Sequence, residues 1–134
     1  MGDATPTHID SHQHVHRHEP VRSVAIRLAN QLRIPLRGVT PGVRFCGDFY
    51  GQDGRGGMPA HELISVEALK RLLGDLVPGV TELGCHPGFD ANLRSCYRRE
   101  RELEVRALCD AEVRAILDGR SVQLRSFAQL ETIA

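Results

Sequence analysis

Five of the seven histidines in this 134-residue chain lie within twelve residues near its start, in the segment THIDSHQHVHRH at 7–18. If this segment is extended, alternate side chains fall on one face. The side chains on that face are His8, Asp10, His12, His14 and His16. Neighbours two apart in a strand lie about 6.5–7 Å apart, so two imidazoles can reach one divalent ion. The spacing therefore predicts a metal or catalytic site, with Ile9 and Val15 packed on the opposite face.

Two simpler explanations of the histidine segment stay open: a tag or spurious tract, and surface histidines without a role. A tag usually repeats histidine without interruption, whereas Ile, Asp, Ser, Gln and Val interleave here. Asp10 could bind the ion or orient an imidazole beside it. A second candidate, His86, lies in TELGCHPG, where a His-Pro pair alone is as often a structural turn as a catalytic element.

Composition excludes several classes of function. The 17 basic and 17 acidic residues give a formal net charge of zero, which offers no general electrostatic basis for binding nucleic acid or an anionic membrane. No apolar run approaches the ~18–20 residues of a membrane span. The four cysteines form no CxxC pair, and no apolar signal segment begins the chain. We therefore expect free thiols and a cytoplasmic protein.

The candidate residues depend on a framework of alternating helices and strands. Helical spacing of apolar residues predicts amphipathic helices at 19–34, 65–77 and 99–119, the last continuous or broken into a pair. Ser65 is the expected N-cap of the second helix. Strands are predicted at 8–16, at the start of 35–45, and at 79–88 and 121–127. A glycine-rich loop at 47–60 is long enough to suggest a functional role.

This alternation predicts an α/β chain with mostly parallel strands. In such folds chemistry gathers where strands end. The two histidine-bearing segments, 8–16 and 83–88, both fall at predicted strand ends. We therefore expect His12, His14 and His86 to face one pocket.

Several motifs in this order resemble the YdjC-like carbohydrate deacetylases, the ChbG/HpnK family. They are PTHIDSHQHVH, FYG in the mid-chain loop, TELGCHPG, an arginine-rich segment beginning at Tyr97, and the closing VQLRSFAQL. The resemblance covers nearly the whole chain, and the first and third motifs are the specific ones. It implies a partial distorted (β/α) barrel, with residues 1–134 as the C-terminal half of a deacetylase domain.

The resemblance also implies an activity and a set of roles. The family resembles metal-dependent enzymes that remove N-acetyl groups from short amino-sugar oligosaccharides. By resemblance, His12 is the metal ligand, while His86 and Asp10 are the catalytic candidates, His86 as the acid that protonates the leaving amine. The remaining matches line the pocket: His14, His16 and Arg37. The implied cofactor is a divalent metal, Mg²⁺ in the complete enzyme or alternatively Zn²⁺.

One departure from the family is large. The family is roughly twice as long, and its first half carries an Asp-Asp-Phe-Gly motif that supplies a metal-binding Asp and the general base. Nothing in this chain matches that motif. We therefore expect a deacetylase that is incomplete as this chain, and a homodimer or a pairing with a separate N-terminal half. The alternatives are a non-catalytic metal-binding remnant and a complementing half.

Overall fold

The structure is a computed structural model that describes residues 5–54, 57–89, 92 and 94–130. Helices and short strands follow one another along the chain: α1 (Val21–Leu32), β1 (Val43–Cys46), α2 (Val66–Gly74), β2 (Val80–Leu83), α3 (Arg99–Leu108) and α4 (Ala111–Gly119). Short 3₁₀ helices occupy His12–Arg17, His61–Ile64 and Phe127–Gln129. The chain divides into two compact units, a first unit of residues 1–45 with 124–134 and a second unit of residues 46–123.

The first unit is organised around α1, which confirms the helix predicted at 19–34. Small side chains on one face of α1, Ala25 and Ala29, are buried with Leu36, and Ile9 packs against them. The main chain of Ile9 pairs with the segment around Leu36 as a parallel bridge, in which Ile9 N–H donates to Pro35 O at 2.8 Å. This bridge anchors the start of the histidine segment.

A second row of apolar side chains on α1 is not covered within the first unit. Its four members are half exposed, at 44–53%: Val21, Val24, Leu28 and Leu32. We call this row the α1 stripe. Helical spacing predicted an apolar stripe correctly, but the described residues of the first unit bury only the part centred on Ala25 and Ala29.

The extended conformation predicted for residues 8–16 is found at Ile9 and Ser11 but is wrong from His12 onward. After Ile9 the chain enters the 3₁₀ helix His12–Arg17, in which Gln13 and His14 adopt left-handed backbone angles, with φ of 53° and 55°. The alternation of faces is therefore lost. Val15, which was expected to pack behind the histidines, is 49% exposed.

The two strands β1 and β2 pair as a two-stranded parallel sheet, continued by a hydrogen bond from Gly84 N–H to Cys46 O at 2.8 Å. β2 confirms the strand predicted within 79–88. The strand expected at the start of 35–45 instead lies at the end of that segment, as β1. The strand predicted at 121–127 is wrong, because Ser121 has a φ of 55° and a 3₁₀ helix begins at Phe127. The α/β class is confirmed, but the described residues do not show a barrel.

The second unit packs three helices around one core. Ser65 caps α2 as predicted, since its Oγ accepts a hydrogen bond from Ala68 N–H at 3.1 Å. The segment 99–119 is a broken pair: α3 ends at Leu108, and Asp110 caps α4 by accepting from Glu112 N–H at 2.8 Å. The fully buried core consists of Phe49, Ile64, Leu69, Ala107 and Val113.

In the described ranges, every helix falls short of the length and apolar character that crossing a membrane requires. The boundaries of a half-domain at 1–134 stay a prediction.

Candidate metal centre and aromatic cluster

The kinked 3₁₀ helix of the first unit gathers three side chains that could hold a metal ion. Asp10, His14 and His16 each offer one ligand atom, and these atoms all lie within 4.8 Å of one another. Ligand atoms around a tetrahedral ion at about 2.0–2.2 Å lie roughly 3.5 Å apart, so the three atoms would have to move closer together to share one ion. The left-handed angles at Gln13 and His14 produce this convergence, which a regular strand could not.

Asp10 is held as a carboxylate. Its Oδ2 pairs with Arg37 Nη1 at 2.7 Å, and its Oδ1 accepts from Ser11 N–H at 2.7 Å. Burial alone would raise the pKa of Asp10, but the hydrogen bond from Ser11 and the charge of Arg37 outweigh it and leave the pKa below its ordinary value. Asp10 therefore offers a negative charge to a cation even in mildly acidic solution.

His16 is buried, and both of its ring nitrogens are already engaged. Nε2 lies 2.8 Å from Arg37 O, and a carbonyl can only accept, so Nε2 carries the proton. Nδ1 lies 2.6 Å from the hydroxyl oxygen of Ser11, with which it shares a second hydrogen bond. His16 could bind a metal only by losing the Ser11 hydrogen bond, so it is better suited to fixing the segment than to coordination.

His14 has the opposite character. Its Nδ1 is buried and has no hydrogen-bond partner among the described residues. Its ring lies edge-on to Phe45, with centroids 5.5 Å apart. Burial is the main cause that lowers the pKa of His14, against the charge of Asp10, so the imidazole is neutral near pH 7. A neutral, unpartnered imidazole nitrogen is the state that metal coordination requires.

The other predicted residues of this segment lie around the cluster. His12 is exposed at the first position of the 3₁₀ helix and is not one of the three clustered residues. Its role as metal ligand stays a prediction. Arg37 lies directly beside Asp10, and its guanidinium also lies over Phe127, 5.8 Å from the ring centroid.

His86 follows β2 in the second unit and lies in an aromatic cluster. The rings of Tyr50 and Tyr97 are stacked, with centroids 4.8 Å apart and planes 8° from parallel. The His86 ring meets both edge-on, at 5.7 Å from Tyr50 and 5.6 Å from Tyr97. Tyr50 comes from the FYG loop, so two segments singled out in the sequence meet here. Whether His86 also shares a pocket with the histidines of the first unit stays a prediction.

A buried carboxylate supports this cluster. Glu104 of α3 has no exposed surface, and it accepts hydrogen bonds from the Tyr97 hydroxyl and from the main-chain N–H of His86. Burial raises the pKa of Glu104, although both hydrogen bonds favour its charged form. The Tyr97 hydroxyl in turn accepts from Gly51 N–H at 2.7 Å. One buried network therefore fixes three segments of the second unit.

Sequence analysis did not single out Glu104 or the neighbouring Glu100. A signal was nevertheless present: Glu100, Glu104 and Ala107 follow the helical spacing of a buried face. Carboxylates on such a face indicate a buried polar network, because an unpaired carboxylate is costly to bury. Glu100 fits this interpretation, since its Oε1 lies 3.2 Å from His61 Nε2.

A family model and curated relatives show which known proteins this chain is similar to. A family model described as YdjC-like protein matches residues 1–119. A carbohydrate deacetylase of Geobacillus stearothermophilus is 36% identical over 137 residues, which are 93% of this chain and 52% of that protein. A carbohydrate deacetylase of Brevibacillus brevis is 28% identical, over 92% of this chain and 53% of its own length. The chain thus spans about half the length of these curated relatives.

A solved structure is also matched over about half of its length. A crystal structure from Enterococcus faecalis V583, described as a candidate cellobiose-phosphate cleavage protein, superimposes with a TM-score of 0.74 at 28% identity. The match covers 93% of this chain and 53% of that one.

Proposed function

Because the chain belongs to the YdjC-like protein family, we propose that it supplies the C-terminal half of the site of a metal-dependent carbohydrate deacetylase. The substrate is a short amino-sugar oligosaccharide, and the reaction is hydrolysis of its N-acetyl group. Both relatives are named carbohydrate deacetylases, which supports a carbohydrate substrate and a deacetylation reaction. The chain spans about half the length of those relatives, which supports a site that residues outside this chain complete.

Two observations carry the proposal: a ring nitrogen of His14 clusters with the carboxylate of Asp10, and the Nδ1 of His14 is buried without a partner among the described residues. A buried imidazole nitrogen without a partner loses hydrogen-bonding free energy, and a bound ion is one way in which such a nitrogen is satisfied. Imidazole and carboxylate donors suit Zn²⁺ or Ni²⁺, and Mg²⁺ would need further oxygen ligands from the remainder of the site. His14 and Asp10 therefore supply some, but not all, of the ligands that a divalent ion needs.

Each side chain then has a distinct task. A divalent ion bound at His14 and Asp10 would polarise the acetamide carbonyl and acidify a water molecule. Arg37 holds the Asp10 carboxylate in place through its 2.7 Å ion pair. His86, in the second unit, is the candidate acid that donates a proton to the leaving amine. His12 stays a candidate for a further ligand because it is exposed near the start of the kink.

A second candidate function is a metal-binding module without catalysis, or a half that complements a separate chain. The two hydrogen bonds of His16 favour it, since they leave fewer protein ligands for the ion in this chain than the histidine count suggests. A metal-binding module predicts metal binding without acetate release under any combination of chains, whereas a complementing half releases acetate only when the separate chain is present.

Pairing is part of the proposal. The α1 stripe exposes four apolar side chains in a row, and a surface of that kind is normally covered by a partner. The partner we propose is a polypeptide that carries the half of the relatives this chain does not span; a homodimer is the alternative.

The free thiols of all four cysteines fit a reducing cytoplasm.

The test is acetate release from N,N′-diacetylchitobiose in the presence of Mg²⁺ or Zn²⁺. The chain is assayed alone and together with the N-terminal half of the Geobacillus stearothermophilus relative. We expect little or no turnover by the chain alone, and metal-dependent turnover with the added half that His14→Ala or His12→Ala removes. Robust turnover by the chain alone would place the base within it, at Asp10, and would contradict this division of roles. Metal binding without any turnover would favour the second candidate.

A further inference from the structure

Tyr50, an exposed member of the aromatic cluster, is held more firmly than an exposed side chain normally is. Tyr50 is 37% exposed, while Tyr97, on which its ring is stacked, is 6% exposed. The Tyr50 hydroxyl has a weak contact with Gln52 Oε1 at 3.4 Å, so the ring is positioned by stacking more than by its polar end. An aromatic ring with restricted freedom is therefore open to solvent beside His86.

The support beneath Tyr50 is polar, buried and complete. The Tyr97 hydroxyl donates to Glu104 and accepts from Gly51 N–H, so it cannot swing without breaking two hydrogen bonds. Glu104 also accepts from His86 N–H, so the same carboxylate fixes the loop that carries the imidazole. The approach is close at Gly51, where a Cβ would lie 2.6 Å from Ile64 Cδ1. Tyr50 and His86 are thus held at a fixed separation before any ligand arrives.

A preorganised aromatic ring of this kind suits a ligand that has both an apolar face and polar edges. Tyrosine supplies rigid contact area at a low cost in conformational entropy. The negative face of its ring attracts polarised C–H groups, such as those on one face of a pyranose. Binding sites for small molecules combine apolar or aromatic walls with a few polar groups that fix orientation, and here His86 lies 5.7 Å away.

We propose that Tyr50 is the stacking surface for one pyranose ring of an N-acetylated amino sugar, and that it places the ring's substituents beside the imidazole of His86. The proposal rests on the proposed function, whose substrate class it adopts. Tyr97 and Glu104 are positioning residues, because they act on the sugar through Tyr50 and His86. Tyr50 is in this sense a specificity-determining residue that the motif FYG supplies.

The test measures binding of N,N′-diacetylchitobiose to the full 134-residue chain by NMR titration, following the ring resonances of Tyr50 and His86. We expect both sets of resonances to shift. Tyr50→Ala should weaken binding about tenfold, whereas Tyr50→Phe, which retains the ring, should stay within about twofold of wild type. Phe89→Ala is the matched control: Phe89 is an aromatic residue of the same unit, 70% exposed and outside the stack, and its removal should leave affinity unchanged.

The outcomes separate this proposal from the proposed function. An affinity unchanged in Tyr50→Ala, or no sugar-induced shift at millimolar sugar, would overturn the subsite even if the metal-dependent acetate assay succeeds. Conversely, binding that depends on Tyr50 in a chain that never supports acetate release would retain the subsite and overturn the enzyme. If Tyr50→Ala loses its folded spectrum, Tyr50→Leu and the sugar-induced shift of the Tyr50 resonances in the wild-type chain decide the question.

Discussion

The ring Nε2 of His16 lies 2.8 Å from the main-chain oxygen of Arg37, across 21 positions of sequence. This contact ties the 3₁₀ helix of the histidine segment to the segment that follows α1. It also fixes the proton on Nε2, since a carbonyl oxygen has none to give. His16 therefore stabilises the arrangement in which its neighbours His14 and Asp10 are displayed.

We expect His16→Ala to lower the free energy of unfolding by roughly 2–3 kcal/mol, because it removes a buried side chain together with its hydrogen bonds to Ser11 and Arg37. His12→Ala, at an exposed position of the same helix, should change it by less than about 0.5 kcal/mol. Urea unfolding followed by circular dichroism measures both. Equal effects of the two substitutions would show that the buried contacts of His16 contribute nothing to stability.

Metal binding should depend on His14 more than on any other histidine of the segment. We expect His14→Ala to weaken Zn²⁺ binding by at least about tenfold and Asp10→Asn to weaken it by a comparable factor. His18→Ala, which alters an exposed histidine of the same segment, is the control. Isothermal titration calorimetry gives the affinities. If His12→Ala abolishes binding and His14→Ala does not, the ligand is His12, as the family resemblance implies.

Glu104 should give stability a measurable pH dependence. Its pKa in the folded state is raised by burial above the ordinary value of 4.5, so the folded chain keeps this proton to higher pH than the unfolded chain does. The favourable contribution is thus complete below about pH 4.5 and is lost as pH rises through the folded-state pKa, with a slope of at most about 1.4 kcal/mol per pH unit. Glu104→Gln should remove this slope from the unfolding free energy, and Glu102→Gln should not. Parallel curves for wild type and Glu104→Gln would contradict the raised pKa.

The close approach at Gly51 predicts a strong effect of a single methyl group. In Gly51→Ala the new Cβ would lie 2.6 Å from Ile64 Cδ1 and 2.9 Å from Glu100 Cγ, so one of the segments must move. We expect a loss of about 1–3 kcal/mol of unfolding free energy. Gly74→Ala is the matched control, since nothing lies within 4 Å of its Cβ position in α2 and alanine favours a helix. A thermal shift for Gly51→Ala no larger than that for Gly74→Ala would be inconsistent with this packing.

The α1 stripe should determine association. Leu28→Glu places a charge in the middle of the stripe, so we expect it to weaken pairing with the added N-terminal half at least about tenfold. Arg27→Glu, the control, changes the charge of the exposed residue that precedes Leu28 in the same helix and should have little effect on pairing. Analytical ultracentrifugation of the mixtures measures both. A wild-type chain that remains a monomer in every mixture would count against pairing.

The parts of the fold that were predicted correctly are those set by local sequence. The apolar periodicity of α1 and α2 and the cap at Ser65 depend on neighbours within a few residues, so the pattern was sufficient. The strand predicted at 121–127 failed because alternation alone does not supply a pairing partner, and Ser121 turns the chain instead.

In the candidate sites too, residue types were predictable from the sequence, whereas contacts between distant residues were not. The residue types at Asp10 and His14 suggested a metal site, which stays a prediction, and the structure brings these two side chains together with His16. That arrangement requires left-handed backbone angles at Gln13 and His14 that no period-two pattern contains. Glu104 was missed because its importance lies in contacts with His86 and Tyr97, which are distant in sequence or belong to another element. Such contacts are properties of the packed chain and not of a motif.

The left-handed pair at Gln13 and His14 limits what could be transplanted from this protein. Each angle is unfavourable for a residue with a side chain and persists only while Ser11, His16 and Arg37 hold the segment in place. A synthetic dodecapeptide of residues 7–18 would lack Arg37 and relax to ordinary angles. It would chelate metal on an affinity resin like any histidine-rich peptide, without reproducing the Asp10–His14 arrangement of the folded chain.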